Sequence, residues 1–90
     1  MKGVRKSIVY QRCEDIAAIM VNAGYSNVTS RDLEYLLKRY VGADPRTVRA
    51  YKRYLIEFNF LALKGEFYTL LKDSIPVQKV LEIEEKESRR

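Results

Sequence analysis

Ninety residues are enough for one small core and too few for two, and a hydrophobic fraction of 47% excludes a disordered tail as the main content. The net charge of +5 is unevenly spread: residues 1–81 carry 14 Lys/Arg against 8 Asp/Glu, whereas the last nine carry 3 against 4. The globular part is therefore the basic part, which favours a polyanion as partner.

No apolar run approaches the roughly 18 residues of a membrane span. The start, MKGVRKSIVY, lacks the apolar core and small-residue cleavage site of a secretory signal. A cytoplasmic, nucleoid-associated location is expected, with no membrane partner. The single cysteine, Cys13, has no internal partner for a disulfide and no ligand set for zinc.

In chain order, residues 1–6 form a basic lead-in. From Ser7, the apolar residues Ile8, Val9, Ile16, Ala17, Ile19, Met20 and Ala23 recur at helical spacing, and Gly24 stands where a left-handed stop belongs. The first helix is expected over about 7–23. Its wide apolar side makes it either central to the core or shared with a second subunit. Residues 25–28 offer a few extended positions. Thr29 then caps a second helix over about 30–41, with Asp32 at the third helical position and Val28 and Leu33 at the staple positions. Leu33, Leu36, Leu37 and Tyr40 form its inward stripe, and Gly42 ends it.

The link Gly42-Ala43-Asp44 has the length and glycine of a helix-turn-helix corner. Asp44 is a strong cap and Pro45 is preset for the first position of a third helix over about 45–59. There Val48, Tyr51, Leu55 and Phe58 fall on one inward arc, while Arg46, Arg49, Ala50, Arg53 and Glu57 fall opposite; Lys52 and Tyr54 lie on the flanks. Two aromatic-aliphatic runs separated by Lys64-Gly65-Glu66 read as a β-hairpin over about 60–71. After the polar break 72–74, Pro76 opens a last helix over about 75–86, with Val77, Val80, Leu81 and Ile83 as its apolar stripe. The chain is one domain, mainly α with a small β-hairpin.

Catalytic chemistry is thin. Without histidine there is no Ser-His or Cys-His pair, and the commonest general base and metal ligand are missing. The four glycines are isolated, so there is no phosphate loop. Carboxylates are scattered on outward faces, and the adjacent pairs Glu14-Asp15 and Glu84-Glu85 point apart. We expect no enzyme, no metal, no cofactor and no small-molecule substrate.

The binding signal is stronger. Arg46, Arg49 and Arg53 recur at i, i+3 and i+7, so all three can face one DNA major groove, where Arg bonds guanine edges and phosphates. No acidic residue intervenes between Asp44 and Glu57. Ala50 would let the helix approach closely, Thr47 could bond a phosphate or base, and Tyr54 is a candidate phosphate contact. Thr29, Ser30 and Arg31 open the second helix, whose free N–H groups suit a backbone phosphate. Lys64, at the hairpin tip, could follow the phosphates or enter the minor groove.

These segments resemble the winged helix-turn-helix superfamily of DNA-binding proteins: VTSRDLEYLL as the positioning helix, DPRTVRAYKRYL as the recognition helix and FLALKGEFYTLL as the wing. Within it, the chain looks like the small stand-alone regulators of archaeal genomes, viruses and plasmids, including transcriptional regulators and the site-binding adaptors of plasmid partition. The resemblance implies a recognition helix in the major groove, a wing near the minor groove, and dimers built from the terminal helices. The chain departs from the pattern in having a single lysine at the wing tip.

The expected function is therefore sequence-specific binding of double-stranded DNA by a homodimer, in transcription regulation or partition-site binding. The rivals are a winged-helix module for protein–protein interaction and a non-specific architectural DNA binder.

Overall fold

The helix boundaries follow local capping chemistry in the computed structural model, which describes residues 7–88, the last three (86–88) by backbone alone. The basic lead-in, residues 1–6, lies outside the described residues. Helix α1 (Ile8–Asn22) starts at Ser7, whose Oγ accepts the Tyr10 N–H at 3.0 Å. It stops at Gly24, with φ +90°, where the Gly24 and Tyr25 N–H groups donate to the Val21 and Met20 carbonyls. That paired closure is the Schellman arrangement, and it needs a residue at ease in the left-handed region.

Helix α2 (Ser30–Tyr40) begins at Thr29, whose Oγ1 accepts the Asp32 N–H at 3.1 Å. It buries Leu33 and Leu37, with Leu36 partly covered. Tyr40 departs from the expected inward stripe: it is 45% exposed, and the Arg39 guanidinium lies 5.6 Å from its ring centre. Helix α3 (Pro45–Glu57) follows a short link and is capped by Asp44, whose Oδ1 accepts the Arg46 N–H at 2.8 Å. Val48, Tyr51 and Leu55 are its buried side.

Helix α3 ends two residues earlier than its periodicity suggests. Asn59 takes a left-handed φ of 66°, and the Asn59 and Phe60 N–H groups close onto the Ile56 and Leu55 carbonyls. Asparagine is among the few side chains that tolerate this conformation. The stop turns Phe60 into the core, where it meets Tyr10 at 5.4 Å between ring centres; Tyr10 also meets Phe58 edge-on at 4.9 Å.

The hairpin forms as expected, from β2 (Leu61–Lys64) and β3 (Phe67–Leu70), antiparallel with Leu61 opposite Leu70 and Lys64 opposite Phe67. Its turn is only Gly65-Glu66, with Gly65 at φ +63°, the arrangement in which glycine leads a two-residue loop. A third strand, β1 (Asn27–Thr29), pairs with the other edge of β3, giving the order β1-β3-β2. Along the period of two, Val28, Leu61, Tyr68 and Leu70 face the helices. The fold is thus helix-rich with a small three-stranded antiparallel sheet and a hairpin wing.

After a 3₁₀ turn at Lys72–Ser74 and the buried Ile75, helix α4 (Val77–Ser88) packs on α1 of its own chain. Lys79 Nζ reaches Asp15 Oδ1 at 3.1 Å, and Val80 and Ile83 pack against the core. Only half of the expected stripe is used, because Val77 and Leu81 remain 72% and 56% exposed. Glu14 also departs from its expected outward place: it is 5% exposed on the inner side of α1, and no buried side-chain nitrogen or oxygen among the described residues lacks a partner. No helix among the described residues is long and apolar enough to cross a membrane.

Cys13 is fully buried on α1, and burial pushes its thiol up to about 12. The thiolate is the reactive form. A thiol reagent at pH 8 should therefore leave the folded protein unlabelled for hours and modify it at once in denaturant. Fast stoichiometric labelling of the native protein would contradict this packing of α1.

Candidate nucleic-acid interface

The inward anchors of α3 dictate what it presents. With Val48, Tyr51 and Leu55 in the core, the opposite side carries Arg46, Arg49 and Arg53 into solvent. The side chains of Arg46 and Arg53 are 85% and 66% exposed. Helical geometry spreads the three over an arc of about 60° and a length of about 10 Å, since each residue adds roughly 100° and 1.5 Å.

Two of the three arginines sit beside a carboxylate. Arg46 Nε lies 3.7 Å from Asp44 Oδ1, and Arg53 Nε lies 3.8 Å from Glu57 Oε2. Both pairs are solvent-exposed and long, of the kind worth under about 1 kcal/mol, so a phosphate or base edge displaces them at little cost. Arg49 makes no ion pair with any described residue. It is the arginine with the least to give up on binding.

The remaining candidates divide. Thr47 and Ala50 are partly buried on the flank of the arc. Tyr54 is partly buried too, edge-on to Tyr51 at 5.6 Å, stacked on Phe58 at 6.1 Å, with the Arg53 guanidinium 5.6 Å from its ring centre. It belongs to the aromatic row beneath the arc and steadies Arg53. At the start of α2, Arg31 is exposed and the Thr29 hydroxyl serves as the cap.

Ser30 opens α2 with its side chain already in use. Its hydroxyl accepts from Lys52 Nζ at 2.7 Å and lies 3.4 Å from Glu34 Oε2, so it is engaged within the molecule. Lys64 is exposed, but as the last residue of β2; the turn itself is Gly65 and the acidic Glu66. Between the start of α2 and the wing lies an open depression of about 500 Å³, bordered by Thr29, Ser30 and Arg31 on one side and Leu63, Glu66 and Phe67 on the other.

One participant was invisible to sequence reasoning. Lys52, expected on a flank of α3, is turned toward α2, where its ammonium pairs with Glu34 Oε2; its side chain is only 16% exposed. The two residues are 18 apart in sequence, so only the α2–α3 packing brings them together. The hydrogen bond from Lys52, then its charge, holds the Glu34 carboxyl below its ordinary value of 4.5. A carboxyl lowered in this way stabilises the fold fully above that ordinary value. The contribution drains as pH falls from there through the lowered value. In urea unfolding, the stability difference between the native protein and Glu34→Gln should therefore be largest near neutrality and shrink below pH 4.5; a difference that grows on acidification would contradict the pairing.

Among the described residues, no group of three or more His, Cys, Asp or Glu could hold a metal ion. Comparison with protein-family models, curated proteins and solved structures yields no match.

Proposed function

We propose that the protein binds double-stranded DNA with sequence preference, laying α3 in the major groove as a winged helix-turn-helix protein does, in transcription regulation or partition-site binding. The observation that carries the reading is the outward row Arg46-Arg49-Arg53 on a helix fixed from below by Val48, Tyr51 and Leu55. Three cations within one arc, with exposed and easily displaced carboxylates beside two of them, suit a polyanion with a groove. Arg31 and Lys64, both exposed, are further candidate phosphate contacts. The homodimer remains part of the proposal, supported by Val77 and Leu81, one turn apart and exposed on α4. Sedimentation showing only monomer at micromolar concentrations would remove it.

Selection of bound duplexes from a random pool tests the reading. It should return a recurring site, symmetric if two copies bind, and affinity for that site should fall steeply with salt. An enriched pool with no shared sequence leaves the architectural reading. Affinity indifferent to salt overturns DNA binding altogether. The interaction-module reading is favoured by one observation, the exposure of Leu63 and Phe67 on the wing at 55% and 50%. A protein partner retained after all three arginines become alanine would support it.

A further inference from the structure

We infer that Lys52, clasped by Ser30 and Glu34, is a positioning residue that sets the rotation of α3 and so determines which base edges Arg49 can reach. The inference rests on the DNA-binding reading and deepens it. Lys52 lies on α3 about 60° from Arg49 and about 40° from the buried Val48. It is therefore the cation at the seam between the outward arc and the core.

Its geometry is that of a tether rather than a ligand. The ammonium pairs with Glu34 Oε2 and bonds Ser30 Oγ at 2.7 Å, and Ser30 lies within 3.4 Å of the same carboxylate oxygen. Both anchors belong to α2, so the clasp ties the two helices at a polar point beside their apolar contact. Arg46 and Arg53, by contrast, are largely exposed on the same helix. The Lys52 ammonium is mostly covered and both its partners lie on α2, so turning α3 about its axis would draw it away from them and leave a partly buried charge unpaired, which is costly.

A bidentate contact between arginine and a base edge tolerates little misalignment, and a contact of this kind carries discrimination between bases. A loosened α3 would keep its phosphate attraction and lose its selectivity. The clasp should thus be read out in the ratio of affinities for a selected and a random duplex, not in affinity alone.

Glu34→Gln gives the sharpest test, because it makes the protein more positive while weakening the clasp. Charge alone would tighten binding to every duplex. Loss of the clasp instead lowers the selected-to-random ratio by about tenfold, the scale of one good base contact. Lys52→Met should lower the ratio similarly and leave the salt slope unchanged. The exchanged pair, Glu34→Lys with Lys52→Glu, should regain most of the ratio, an outcome that general destabilisation does not produce. Ser30→Ala keeps both charges and carries the same comparison should a charge variant fail to fold. A ratio untouched in Glu34→Gln overturns the clasp alone. A salt slope reduced by about 0.9 in Lys52→Met would make Lys52 a phosphate ligand and overturn it as well. If the native protein shows no preference among duplexes, the DNA reading falls with it.

Discussion

Replacing Arg46, Arg49 and Arg53 together by alanine is expected to cut affinity for a selected duplex by a hundredfold or more, on the order of 1–3 kcal/mol for each arginine that no longer bonds a base edge. The slope of log affinity against log salt should flatten by up to about 2.7, or 0.9 for each phosphate no longer neutralised. The fold should survive: these side chains project into solvent, the pairs with Asp44 and Glu57 are exposed, and the Asp44 cap accepts from a backbone N–H that alanine retains. Arg49→Ala alone separates two roles. A weakening confined to one base pair of the site identifies base reading, whereas an equal weakening on every sequence identifies a phosphate partner. A triple variant that binds duplex with native affinity and native salt slope would sink the proposed function.

The largest effect on stability is expected from Phe60→Ala, at about 3–5 kcal/mol. That is a large share of the roughly 5–15 kcal/mol available to a domain. Phe60 is fully buried and touches the aromatic row through Tyr10. Its main chain is also committed at both ends: the N–H donates to the Leu55 carbonyl, and the carbonyl accepts the Leu71 N–H, each at 2.9 Å. The backbone cannot slide to fill the void, so the truncated side chain should leave a cavity where α1, α3 and the sheet meet. Urea unfolding followed by circular dichroism measures the destabilisation. A change under about 1 kcal/mol would mean the site collapses freely and the aromatic centre is not what joins helix to wing.

What could be read from the sequence was what neighbouring residues decide among themselves. Thr29 and Asp44 read as caps from the sequence and each caps a helix, whereas Ser7, read as the first residue of α1, stands just before it as its cap. Gly65 between two aromatic-aliphatic runs marks the hairpin. The arginine arc follows from spacing alone. What escaped depends on partners distant in the chain. Asn59 reads as one more helical residue until Phe58 and Phe60 are seen competing for the same aromatic centre around Tyr10. Lys52 looks like any flanking cation until α2 is laid beside it. Glu14 and Leu81 exchanged their expected environments, because α1 is enclosed from several sides while α4 rests on one. Period and propensity carry no information about which side a neighbour will occupy.

Thr29 ends β1 opposite Phe67 and, in the same residue, begins α2. Mechanically, the hairpin is a braced beam whose root is welded to the helix beside it. Bending it away would unzip Val28 from Tyr68 and lift the hydroxyl that caps α2. A continuous line of contacts runs from Phe67 to Thr29 across the sheet, on to the next residue Ser30, and through the Ser30 hydroxyl to Lys52 on the helix that carries the arginines. The compliance of this whole end of the molecule is therefore set by the short strand Asn27–Thr29, and backbone amides on β1 and β3 should exchange with solvent in step rather than separately.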